Sequence, residues 1–142
     1  MALRLSEQER MLLTGLVAEL TALLQGEPQD PSLRRLFPPA YEDAQDERSY
    51  RELAGDDLLR GRLQALELVA RTAGGDRLSA TEADAWLRAL NDLRLALGTR
   101  LDVREDTFVE GLAEDDPRAP ALAVYGYLSW MQEQLVEALS PG

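Results

Sequence analysis

Between Leu78 and Leu101 the chain reads LSATEADAWLRALNDLRLALGTRL, and this stretch narrows the possible folds more than any other. Ser79 and Glu82 stand in the S-x-x-E spacing of a capping box, in which each side chain satisfies an amide that the first helical turn leaves unpaired. A helix is therefore expected to begin at Ala80. Ala83, Trp86, Leu90, Leu93 and Leu97 recur at three- and four-residue spacing, which gathers them on one face, and Gly98 is the residue that most easily ends a helix in a left-handed conformation.

The same signals recur along the chain. Met1 to Leu5 is too short to assign, although Arg4 between Leu3 and Leu5 would suit a short extended lead-in. Ser6 and Glu9 form a second capping box ahead of a helix whose stripe is Leu13, Leu16, Leu20 and Leu23, widened by Leu12, Val17 and Leu24 and ended by Gly26 and Pro28. In DPSLRRLFPPAY, Asp30 and Pro31 can open a helical turn or two that Pro38 and Pro39 close. A weakly amphipathic helix is expected from Tyr41 to Leu53, with Tyr50 and Leu53 inward. Gly55 and Asp56 read as a break and an N-cap before a helix carrying Leu59, Leu63, Leu66, Ala70 and Ala73. After Pro117 and Pro120, a last helix places Val124, Leu128, Met131, Leu135 and Ala138 on one face. Alternating β-branched stretches and fixed-period repeats are both missing from the sequence. The expected fold is an all-α, single-domain helical bundle over residues 1–142, with about four main helices and one or two short ones.

Residues 102–118 differ in character. Seven acids face two arginines there, a net −5 of the chain's −11, and an acidic, mobile connection is expected. Phe108, Val109 and Leu112 interrupt the acids. They either pin the connection to the bundle or, with the acids, form a segment that docks into a basic, apolar groove on a partner; Phe108 and Leu112 are partner-binding candidates on that second reading.

Composition removes whole reaction classes. All 15 basic residues are Arg, and Lys, His and Cys are absent. The chain cannot supply a thiolate, a disulfide, a zinc–thiolate site, an imidazole proton shuttle, a lysine Schiff base or a P-loop lysine. Carboxylate chemistry, with or without Mg²⁺ or Ca²⁺, is what remains. All-α metal-dependent nucleotide hydrolases set carboxylates at helical spacing on facing helices, but no two Glu residues here lie three apart. Glu42, Asp43, Asp46 and Glu47, or Glu133 with Glu137, read more simply as solvated faces. No catalytic residue, metal ligand or cofactor is therefore expected, although a carboxylate–metal hydrolase stays open as an alternative. The net charge of −11 opposes contact with phosphate backbones and anionic membranes, so direct DNA binding is a further, disfavoured alternative. No apolar run approaches 18 residues and no signal-peptide layout opens the chain, and the expectation is a soluble, cytoplasmic protein.

Four polar or aromatic positions stand out on helical wheels drawn at about 100° per residue. With Leu90 at zero, Arg94 falls at about +40°, inside the apolar arc, and Asn91 at about +100°, on its edge. Arg94 is expected to be a buried polar anchor with a carboxylate or helix-terminal carbonyls in reach. Asn91, the sole Asn, is expected to anchor the loop after Gly98 or the Pro-rich connection. Alternatively, the side of this helix formed by Arg88, Asn91 and Arg94 contacts a partner, with Arg88 as the binding candidate. With Leu128 at zero, Trp130 falls at about 200°, away from the core. Tyr127, Trp130 and Gln134 then form either a partner or homodimer surface, or a patch that the chain's own N-terminal or Pro-rich segment covers.

Four segments in this order, LRLSEQE (Leu3 to Glu9), DPSLRRLFPPAY (Asp30 to Tyr41), WLRALNDLRLALGTRL (Trp86 to Leu101) and VYGYLSWMQEQLVEAL (Val124 to Leu139), resemble an actinobacterial family of unknown-function domains whose members are named AosR-type oxidative-stress regulators. The resemblance covers nearly the whole chain. It implies a non-enzymatic regulator of stress-responsive transcription that contacts RNA polymerase or a sigma factor. Some relatives are associated with cysteine-based redox sensing, which this cysteine-free chain cannot share.

Overall fold

The computed structural model describes residues 1–26, Leu36, 44–101 and 116–140, with side chains in the second helix described from Leu58 onward. Four helices account for most of these residues: α1 (Glu7–Gly26), α2 (Ala44–Thr72), α3 (Ala80–Arg100) and α4 (Ala119–Leu139). The chain is an all-α bundle. Among the described residues the only β pairing is an isolated antiparallel bridge between Ala2 and Arg77. The lead-in that carries it runs alongside residues 76–78, where Leu3 N–H donates to the Asp76 carbonyl at 2.8 Å and Leu78 N–H to the Met1 carbonyl at 2.8 Å.

Both capping boxes form. Ser79 Oγ accepts from Glu82 N–H at 3.1 Å, and the Glu82 carboxylate accepts from Ser79 N–H at 2.8 Å. Ser6 and Glu9 repeat the arrangement at 3.0 and 3.1 Å.

α3 is the organising element, packed against each of the other three helices. Ala83, Trp86, Leu90 and Leu93 are buried as the spacing predicts, and Leu97 is half-buried. Trp86 is fully enclosed. Its indole Nε1 donates to Thr72 Oγ1 at 2.8 Å, while that hydroxyl donates to the Leu68 carbonyl at 2.7 Å, so the largest core side chain fixes the start of α3 to the end of α2.

Several boundaries and faces differ from the sequence expectation. Gly98 does not end α3; it is buried within it, and the helix runs on to Arg100 with Leu101 as its C-cap. Arg118 Nη1 donates to the Leu101 carbonyl at 3.0 Å, and Asp116 clasps Arg118 through backbone and side chain, so a side chain from the next element satisfies the helix end. Nor do Gly55 and Asp56 break a helix: α2 is continuous across them. A glycine within a helix costs about 1 kcal/mol relative to Ala, too little to outweigh the continuous hydrogen-bond ladder on either side.

On α2 the buried residues among the described side chains are Ala65, Leu66 and Val69, and Ala73 is buried just past its end, while Ala70, expected inward, is exposed. On α1 the buried set is Leu13, Val17, Leu20 and Leu24. Leu16 and Leu23 are half-buried at its margin, because α1 meets both α2 and α3 and its buried face is centred between them. On α4 Leu122, Leu128, Met131 and Leu135 are buried, Val124 is half-buried and Ala138 is exposed. The short helix expected at 31–36, the inward places of Tyr50 and Leu53, and the acidic connection up to residue 115 lie outside the described side chains.

Candidate functional site

On α4, positions 127, 130 and 134 share one flank of the helix, at an angle to the face that buries Leu128, Met131 and Leu135. Tyr127 and Trp130 stack with ring centroids 6.1 Å apart and planes 26° from parallel. Trp130 is 52 % exposed and Gln134 is exposed as well. An aromatic side chain of that size left half in water is the kind of anchor that protein interfaces bury.

The aromatic pair is held from below. The Tyr127 hydroxyl donates to Glu9 Oε2 at 2.6 Å, while Glu9 Oε1 takes part in the α1 capping box. One carboxylate therefore caps α1 and joins it to α4. The bond from Tyr127, together with those from the Ser6 amide and hydroxyl, holds the Glu9 carboxyl below its ordinary value. Partial burial, and then the Glu9 carboxylate facing it, push the Tyr127 phenol well above its ordinary value. Tyr127 is thus a fixed neutral donor, and Trp130 leans on a rigid neighbour.

Between the lead-in and α4 lies a groove of about 270 Å³. Leu3, Leu5, Trp130, Met131, Gln134 and Ala138 line it, with Trp86 at its floor. The lead-in borders the Trp130 flank without enclosing it.

The polar positions of α3 sort differently from the wheel. Arg94 is half-buried as placed, but its partners are uncharged: Nη1 donates to Gln132 Oε1, and the guanidinium lies 5.5 Å from the centre of the Tyr125 ring. The expected carboxylate or helix-end carbonyl is replaced by an amide oxygen and an aromatic face, which hold a cation without a counter-charge. Asn91 is exposed and is not a buried anchor. Arg88 is exposed and pairs with Asp84 one turn earlier at 3.1 Å, a solvated pair of little energetic weight.

The buried polar anchor of α3 is Asp92, only 3 % exposed and paired with Arg62 of α2. Arg62 Nη2 also donates to the Leu36 carbonyl at 2.8 Å, so this pair ties α2, α3 and Leu36 together. Burial pushes the Asp92 carboxyl above its ordinary value, and Arg62 pulls it part of the way back.

On the same wheel Asp92 falls opposite Leu90, at about 200°, a solvent position for a helix with one buried side. Ala89 and Ala96, on the neighbouring arc at about −100° and −120°, are both buried. Small residues flanking an acid were the available sign that a second helix approaches α3 from behind.

Phe108 and Leu112 lie outside the described residues, as do Glu42 and Asp43. Glu133 and Glu137 are exposed on α4. Among the described residues no group of three or more acidic, His or Cys side chains could hold a metal ion, and no helix is long and apolar enough to cross a membrane.

Comparison with known proteins places this architecture. Residues 1–139 match the family described as Domain of unknown function (DUF2017). Proteins named Oxidative stress regulator AosR from Mycobacterium bovis and Mycobacterium tuberculosis are each 34 % identical over 142 aligned residues, covering 85 % of this chain and 65 % of theirs. The chain thus spans somewhat under two-thirds of the length of these mycobacterial relatives. No solved structure matches it. With the match running through all four helices, the chain belongs to the DUF2017 family, in the AosR-type group.

Proposed function

We propose that this protein is a non-enzymatic regulatory module of stress-responsive transcription, and that it acts by protein–protein contact with RNA polymerase or a sigma factor. The printed names of the mycobacterial relatives support a regulatory role in oxidative stress. The observation that carries the contact mechanism is the exposed Trp130, stacked on a Tyr127 that Glu9 holds in place. A net charge of −11 suits a protein partner better than a phosphate backbone. In a chain without cysteine, the signal reaches the module through its partner or its abundance rather than through a thiol of its own.

Affinity capture of the tagged protein from its native cell, with the wild type beside Trp130→Ala, tests this reading. It predicts a polymerase subunit or sigma factor in the wild-type eluate that the variant loses. Transcription components held equally by both proteins, or by neither, would overturn it.

A further inference from the structure

We propose that the outer face of α4 receives an arginine side chain of the partner protein, stacked on the open face of the Trp130 indole and paired with Glu133 and Glu137. This rests on the reading of Trp130 as a contact surface and names the chemistry of the group it contacts.

Tyr127, three residues before Trp130, covers one face of the indole. Glu133 stands three residues after it. On a wheel with Trp130 at zero, Tyr127 falls at about +60°, Glu133 at about −60°, Gly126 at about −40° and Glu137 at about −20°. The indole face turned away from Tyr127 therefore looks toward the flank of Gly126 and Glu133, and residues three apart on a helix are neighbours. That flank is open: Gly126 is exposed, and a Cβ there would meet nothing within 4 Å.

Charge selects the occupant. Glu133 and Glu137 are both exposed and one turn apart, and α4 carries no basic residue. Like charges at this spacing repel, and Glu137 lies in the last turn, where the helix dipole is already negative. Neither acid forms an ion pair among the described residues. Arg94 borders the same cavity as the two acids, but its guanidinium is bonded to Gln132 and lies over the Tyr125 ring, and it pairs with neither. The acids thus await a cation that the described part of the chain does not supply. A second copy of this chain would bring another −11 to the same place, whereas a basic group on a partner protein is drawn to it. Arginine suits the site better than lysine, because a planar guanidinium lies flat on an indole while its N–H groups reach past the ring to a carboxylate.

The test titrates the ¹⁵N-labelled full chain with end-capped Ala-Arg-Ala-Ala-Arg-Ala and with its Lys counterpart, following the Trp130 indole N–H resonance at physiological salt. The two peptides carry the same charge, so long-range attraction to an acidic protein acts equally on both. The Arg peptide should move that resonance, and the Lys peptide should bind at least fivefold more weakly. The double variant Glu133→Gln with Glu137→Gln should melt no lower than the wild type, since it relieves a repulsion, and should bind the Arg peptide at least tenfold more weakly. A Trp130 resonance unmoved by the Arg peptide at millimolar concentration, equal binding of the Lys peptide, binding unchanged in the double variant, or a double variant that melts below the wild type would each overturn the proposal. In affinity capture, transcription partners lost by Trp130→Ala but kept by the double variant would overturn the arginine pairing and leave Trp130 as a contact residue. Failure of the contact surface itself has a separate signature, transcription partners retained by Trp130→Ala.

Discussion

Asp92→Ala should be among the most destabilising single substitutions outside the apolar core. The carboxylate is 3 % exposed, and its partner Arg62 keeps 24 % of its side chain in contact with solvent. Breaking a buried ion pair by removing one partner costs about 3–5 kcal/mol, because the other charge is left uncompensated. Here the residual exposure of Arg62 and its bond to the Leu36 carbonyl place the cost at the low end, about 3 kcal/mol. For a chain of this size that is a fall in melting temperature of roughly 10 °C. Urea denaturation followed by circular dichroism at neutral pH reads it directly, as a lower midpoint with an unchanged slope.

Arg62→Met alone strands the carboxylate instead, and its loss should depend on pH. The folded carboxyl then sits still further above its unfolded value, so stability falls as pH rises through that window and recovers on acidification. The double variant Arg62→Met with Asp92→Leu should return to within about 1 kcal/mol of the wild type, since an apolar pair of similar volume replaces an ion pair at little cost. An Asp92→Ala chain within about 0.5 kcal/mol of the wild type, or a double variant as unstable as the worse single one, would refute the assignment of Asp92 as the buried anchor.

Two further substitutions test separate parts of the account. Tyr127→Phe removes the bond to Glu9 and should cost about 1 kcal/mol in the same denaturation assay. Because Glu9 is held below its ordinary value, its contribution is complete above the ordinary carboxylate range and is lost as pH falls through the folded value. The gap between wild type and Tyr127→Phe should therefore close on acidification; a gap that widens would contradict the Glu9 assignment. Gly15→Ala should stabilise α1 by about 0.5–1 kcal/mol, because Gly15 lies mid-helix and a Cβ there meets nothing within 4 Å. A destabilised Gly15→Ala chain would mean that the α1 surface is packed against something.

Much of this fold can be read without coordinates, for local reasons. Ser6 with Glu9 and Ser79 with Glu82 announce two helix starts because a capping box is complete within four residues. Wheel arithmetic also puts Trp130 off the core of α4, since only the helix itself is needed to place it. What eluded the sequence depends on neighbours far along the chain. Gly55 and Gly98 read as punctuation, yet each sits inside a helix, because helix continuation is settled by packing and by partners such as Arg118 rather than by one residue's propensity.

Asn91 reads as an anchor of α3, whereas the buried anchor is its neighbour Asp92, for the same reason. A wheel centred on the strongest apolar face assumes one buried side, whereas α3 is buried against α2 and α4 as well as α1. Arg94 was placed correctly on its helix, but its partners, Gln132 and Tyr125, come from α4 and could not be named from α3 alone. The lead-in pairing with residues 76–78, which shapes one wall of the groove, links positions more than 70 apart and leaves no local signature.

The Trp130 flank of α4 is the surface proposed to contact the transcription machinery. Its most direct test is the affinity of the purified protein for purified RNA polymerase core, holoenzyme and free sigma factors from the same organism, measured for the wild type and Trp130→Ala. An interface anchor is worth about 2 kcal/mol or more, roughly a thirtyfold change in Kd. The wild type should bind one of these components, and Trp130→Ala should weaken that binding at least that far without loss of folding stability. Equal affinities for the two proteins, or no binding to any of the components, would contradict it.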